Sequence, residues 1–303
     1  MHTGEEAERM WNYLCAIGFK GVQSAPEKKL WSILSAASKE PSYERTFTLP
    51  ETGGVRRMAC REFDGGIGLA QGGYVTGERF RRMSYYPYVS GTTLTKAEKI
   101  EIYPRHDGIS VLGVWDYAAF GCTTIFHVVN AWDHMQRLPL SGKELKTKGV
   151  RLSALCAGGM VLIPMDKTED DRKFQKKYLE TLHRDEEAWV NGDDGAASRR
   201  VIRQNDISGR AAMRMFGIDD IYTMIDTFFL PEGFESDTYQ ILGDITAARQ
   251  VINSMTEEHV WILDVSVCGT IITVAVGASD LRGEPAIDRR FRGNIWLQGY
   301  IEV

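Results

Sequence analysis

The chain lacks the devices that most often announce a chemistry. Its five cysteines, Cys15, Cys60, Cys122, Cys156 and Cys268, are odd in number and widely spaced, with no C-x-x-C pair. Neither a disulfide framework nor a zinc ribbon fits that spacing; buried thiols in a reducing cytosol do. No apolar run approaches the roughly 20 residues of a membrane-spanning helix. The best candidates, Gly121 to Ala131 and Ile271 to Val276, are short and interrupted. The N-terminus, MHTGEEAERMW, has three early glutamates where a secretory signal has a basic and then an apolar region. The expectation is a cytoplasmic protein with no membrane contact.

Catalytic vocabulary is equally thin. There is no G-x-S-x-G and no H-E-x-x-H. The segment DGGIGLAQGGYVTG offers Gly66 and Gly68 as G-x-G, but Gln71 stands where a third glycine belongs. A pyrophosphate also needs the amides of a helix N-terminus, and no helical pattern follows, so a turn is expected. SGKE at 141–144 puts Glu144 where a P-loop needs the hydroxyl that holds magnesium. HVVNAWDH sets His127 and His134 seven residues apart, which in a helix would put them on one face with Asn130 and Ala131 between them. Two imidazoles leave a metal site incomplete, so a structural role is favoured there. No cofactor and no metal are expected.

What is present is the composition of a folded protein: 43% hydrophobic and 25% charged over 303 residues, which excludes general disorder. Charge is uneven. Residues 1–165 carry 20 Lys/Arg against 16 Asp/Glu, a net of +4. Residues 166–214 carry 11 of each, and residues 215–303 carry 5 against 14, a net of −9. An acidic final third suits a phosphate-tracking surface poorly.

EEAERMWNYLCAIGF and APEKKLWSILSAASKE have apolar residues at helical spacing, with Gly18 and Pro41 as stops. From Tyr43 to about Asp116, short β-forming pieces alternate with glycine-rich turns. FGCTTIFHVVNAWDHMQRL begins as a strand and leaves its end open between strand and helix. GVRLSALCAGGMVLIPM reads as a hairpin turning at Gly158-Gly159. Residues 166–217 have the charge pattern of solvated helix. After Gly217 come five strand-like runs, two of them paired around Cys268-Gly269-Thr270. The expected class is α+β. An N-terminal domain of helices and mixed antiparallel strands (1–165) precedes a charged helical section (166–217). A small C-terminal β-domain (218–303) follows, an antiparallel sheet or a partly closed OB-like barrel.

In the C-terminal run DRRFRGNIWLQGYIEV, strand alternation puts Phe291, Ile295 and Leu297 on one face and Trp296, Gln298 and Tyr300 on the other. The second face either packs beneath other elements or serves, with Arg290, as a binding surface of the aromatic kind that single-strand binders use. The neighbouring arginines are expected to pair with Asp280, Glu284 and Asp288.

Two phrases, IDTFFLPEGFESDTYQILGDI and DLRGEPAIDRRFRGNIWLQGYIEV, resemble the family of domain of unknown function 3881, found mainly in clostridial bacteria. YLCAIGF, YYPYVSG and the LIP at 162–164 occur in the family's order. The resemblance implies a cytoplasmic bacterial protein and carries no catalytic residues. Family members often have cysteine at the position of Ser236 and another aromatic near His127. Both departures speak against a thiol or metal mechanism at those positions.

The leading reading is a non-catalytic binding module that meets a protein or peptide partner through its C-terminal β-domain. The rival is a hydrolase or transferase with His127, Asn130, His134 and Arg290 in a site between the first and last domains. A third reading is single-stranded nucleic-acid binding through the Trp296 face.

Overall fold

Strands dominate the computed structural model, which describes residues 13–20, 26–48, 54–77, 79–105, 107, 109–135, 138–139, 141–162, 227–233 and 236–303. The expected α+β class is therefore corrected to a mostly-β fold. Among the described residues, helix is confined to residues 13–16, α1 (Pro26–Lys39), a 3-10 turn at Asp64–Gly66 and the single turn α2 (Ala131–His134). The helical middle section expected at 166–217 lies outside the described residues.

Both N-terminal helical pieces end as their sequences suggest. Gly18 adopts φ +90°, its N–H donates to Cys15 O, and the N–H of Phe19 donates to Leu14 O. That pair of bonds is the Schellman closure, and Leu14 and Phe19 are both buried as its apolar contact requires. Asn253 Nδ2 and Thr256 Oγ1 then take the carbonyls of Ile17 and Gly18, at 2.6 and 2.8 Å. In α1, Leu30, Leu34 and Ala37 form the buried stripe.

The glycine-punctuated stretch folds as an antiparallel meander. Its strands are β1 (Tyr43–Thr48), β2 (Val55–Glu62), β3 (Ile67–Thr76) and β4 (Arg79–Val89), paired in that order. Gln71 of β3 ties it to α1: its Nε2 donates to Leu34 O at 3.0 Å, and Ser38 Oγ donates to its Oε1 at 3.0 Å. Gly72 lets the sheet approach Ile109 closely, since a Cβ there would meet Ile109 Cγ2 at 2.3 Å.

A second sheet gathers the rest: β5 (Leu94–Thr95), β6 (Lys99–Pro104), β7 (Val111–Tyr117), β8 (Cys122–Val128), β9 (Lys143–Lys146) and β10 (Gly149–Leu162) from the first half, with β11 (Phe228–Pro231), β12 (Thr238–Ile252), β13 (His259–Val267), β14 (Thr270–Gly277), β15 (Leu281–Arg282) and β16 (Arg290–Glu302) from the second. Five of these close on themselves. β12 pairs β13, β13 pairs β14, β14 pairs β10, β10 pairs β16, and β16 returns to β12. Every pair in that barrel is antiparallel except β10 with β14.

The expected hairpin at 149–165 is a correction. β10 is one continuous strand whose register shifts between Cys156 and Gly159. The two glycines do not turn the chain; Gly159 stands opposite Gly293 on β16, and a Cβ on either would strike the Phe291 ring, at 2.5 and 2.9 Å. The run 120–138 divides into β8 and α2. The turn at Cys268-Gly269 joins β13 to β14, with φ of 49° and 79° at its two residues.

Candidate functional site

β16 holds all four residues singled out as a binding surface, Arg290, Trp296, Gln298 and Tyr300, and it places the last three very differently. Trp296 is 2% exposed and Gln298 is fully buried, whereas Tyr300 is 38% exposed. The face they share is covered along most of its length, so of the two readings left open for it, packing beneath other elements describes Trp296 and Gln298. Trp296 stacks on Tyr13 at 5.3 Å between ring centres, and its Nε1 donates to Asp237 Oδ2 at 2.8 Å. Arg105 Nη2 donates to the same oxygen at 2.6 Å, which answers a carboxylate that is itself 2% exposed. Gln298 Nε2 donates to Pro87 O at 2.9 Å and its Oε1 accepts from Val89 N at 3.3 Å, stitching β16 to β4.

His127 stands opposite Gln298 where β8 meets β16, and its ring lies 4.3 Å from that of Tyr86 and 5.0 Å from that of Trp296. His134 is also buried, in a separate network. Asn130 Nδ2 lies 3.4 Å from His134 Nε2 and donates to Ile301 O, while Asn130 Oδ1 accepts from Ile301 N. Burial pushes the His134 imidazole below its ordinary value, against the pull of Asp133. Arg290 pairs with Asp244, its register partner on β12, at 3.5 Å. It lies roughly 26 Å along β16 from the position opposite His127, at about 3.3 Å per residue. The proposed set of His127, Asn130, His134 and Arg290 is thus not brought to one point.

The thiols do not make up the deficit. Burial pushes Cys60 and Cys156 up to about 12, where no useful thiolate fraction exists near neutrality. Among the described residues no group of His, Cys, Asp and Glu could hold a metal ion, and no helix is long and apolar enough to cross a membrane. Of the arginines near 290, Arg289 keeps to Glu284, donating to its carbonyl at 2.6 Å.

A partly exposed group of aromatic side chains stands elsewhere on the sheets, and sequence reasoning found one member of it, Tyr300. Tyr43, 42% exposed at the start of β1, lies 5.5 Å from Trp132 of α2. Tyr300 of β16 is 38% exposed, and partial burial, then the charges of Asp133 and Glu302, then Tyr43 push its phenol up. Two ion pairs frame the cluster. Arg45 Nη1 meets Asp133 Oδ1 at 3.1 Å, and Arg151 Nε meets Glu302 Oε1 at 2.6 Å. Tyr43 and Trp132 carry no local signal that marks them, because more than 80 residues and several strands separate them before they meet.

Residues 14–299 match the family model DUF3881, described as a domain of unknown function with an E. rectale gene description. No curated protein and no solved structure shows significant similarity to the chain. The match spans nearly the whole sequence, and the chain belongs to this family.

Proposed function

We propose that this member of the DUF3881 family is a non-catalytic binding module that takes an extended peptide segment of a partner protein. The observation that carries the reading is the contact of the exposed Tyr43 with the half-buried Trp132, with the exposed Tyr300 nearby. β1 begins at Tyr43 and is an edge strand of its four-stranded sheet. An edge offers unpaired backbone donors and acceptors to an added strand, and aromatic side chains beside it supply anchors. The partner is a protein or peptide and not a nucleic acid, since Arg45 and Arg151 are both committed to carboxylates. Burial of Trp296 and Gln298 withdraws the observation that supported single-strand binding. Arg290, roughly 26 Å along β16 from the position opposite His127, stands apart from the Asn130–His134 contact, which speaks against the four residues serving one hydrolase or transferase site.

The test is selection of extended peptides from a displayed library on the full chain, followed by affinity measurement on wild type and on a Tyr43→Ala/Tyr300→Ala variant. Selected peptides should bind the variant roughly tenfold to a hundredfold more weakly, as loss of two aromatic anchors implies. Equal affinity for the two proteins would place the binding surface elsewhere and sink the assignment.

A further inference from the structure

β2 carries a cation on the face that looks inward. Arg56 stands opposite Phe47 on β1 and shares its face of the sheet with the buried Met58 and Cys60, and only 8% of it reaches solvent. Its Nη2 donates to Tyr74 Oη at 2.8 Å, with the guanidinium 4.4 Å from the centre of that ring. Nε and Nη1 are buried and have no hydrogen-bond partner among the described residues. No carboxylate among the described residues pairs with Arg56. Arginine does not escape by losing its proton, so a buried guanidinium with two unanswered donors is costly. The same strand does better on its other face, where Arg57 has Glu44 at 2.7 Å and Arg61 has Glu40 at 3.0 Å.

The register extends the feature across the sheet. Arg56 stands opposite Tyr74, and Tyr74 stands opposite Arg81. Directly opposed residues in adjacent antiparallel strands share a face, so Arg56 and Arg81 stand on either side of Tyr74 on one face of the sheet. Arg81 is exposed and, like Arg56, has no ion pair among the described residues. Because Arg56 donates to the phenol oxygen, the Tyr74 O–H is left to donate to something else.

We propose that the row Arg56, Tyr74 and Arg81 binds the phosphate group of a small soluble ligand or of a lipid headgroup. Two guanidinium charges with no carboxylate partner among the described residues match the charge of about −1.5 to −2 on a phosphate monoester. Three donor groups match its acceptor oxygens, whereas a carboxylate has one charge and two oxygens. Arg81 meets the anion from solvent, and Arg56 exchanges its unanswered donors for charge-assisted bonds. This row is distinct from the Tyr43, Trp132 and Tyr300 cluster, and neither assignment depends on the other.

The test titrates the full chain with inorganic phosphate at constant ionic strength and follows both heat and thermal unfolding. Wild type is compared with Arg81→Ala and Arg56→Met. Wild type should show saturable stabilisation, with acetate much weaker. Arg81→Ala, which removes an exposed side chain, should weaken phosphate binding about tenfold or more. Arg56→Met should abolish binding and, in phosphate-free buffer, be at least as stable as wild type, because it removes a buried unpaired charge. Phosphatidylcholine vesicles carrying phosphatidic acid form the second arm. Binding there that depends on Arg56 and Arg81, without a response to free phosphate, assigns the headgroup. No response in either arm overturns the proposal, as does a response of equal size in wild type and Arg81→Ala. An Arg56→Met protein that is less stable yet still responds to phosphate also overturns it.

Discussion

Asp237 draws together residues from three parts of the chain, since it accepts from Arg105 and Trp296 while its backbone carbonyl takes the N–H of Leu297. A buried carboxylate of this kind holds its partners in place more than it adds net stability, and removing it leaves the half-buried Arg105 and an indole N–H unanswered. Asp237→Ala should therefore cost about 1.5–3 kcal/mol in urea unfolding, and Asp237→Asn, which keeps an acceptor, should cost less. A loss under about 1 kcal/mol would mean that Arg105 finds its neutralisation elsewhere. Strand alternation, read from sequence, puts Trp296, Gln298 and Tyr300 on one side of β16 correctly. What covers that side was not legible, because the partners Tyr13, Pro87 and Val89 are some 200 residues or more away in sequence. Period two reports which side chains travel together; burial is decided by what the topology lays over them.

At the scale of elements, the turns that announce themselves by left-handed backbone were readable. Gly18 stops its helix and Cys268-Gly269 turns its hairpin, each with a positive φ. The glycines that deceive are those kept for close approach. Gly158-Gly159 reads as a turn, yet its second glycine clears the Phe291 ring within a continuous strand. Phe126 shows the same device more fully. It lies against Gly113 of β7 and Gly299 of β16, where an added Cβ would sit 2.3 and 2.6 Å from its ring. Both contacts are fixed by register, because Gly113 is the partner of Phe126 and Gly299 that of the neighbouring Val128. Gly299→Ala should thus overpack the seam between β8 and β16 and destabilise by about 1–3 kcal/mol, read as a lowered melting temperature. Adding Phe126→Leu should recover part of that loss, since the smaller side chain makes room for the methyl. If the double variant is no more stable than Gly299→Ala, the strain lies in the backbone and not in the ring.

Over the whole molecule, the five strand-like runs after Gly217 suggest a self-contained C-terminal β-domain. Four of them, β12, β13, β14 and β16, do enter the barrel, but β11 pairs only at the edge, with β12. The fifth barrel strand is β10, which comes from before residue 163 and lies between β14 and β16. Sequence gave no sign of this, because parallel pairing of β10 with β14 joins segments more than 100 residues apart and needs no turn between them. The consequence is a test of autonomy. Residues 227–303 expressed alone would leave β14 and β16 with bare facing edges and Ala154 and Cys156 missing from between Val274, Val276, Ile295 and Leu297. Such a fragment should lack a cooperative unfolding transition and should associate through its open edges. Co-expressed with residues 1–226, it should be recovered as a one-to-one complex with a single transition, because that partner returns β10. A lone fragment that melts cooperatively as a monomer would show that the four remaining strands close without β10, and the barrel would then be a domain in its own right.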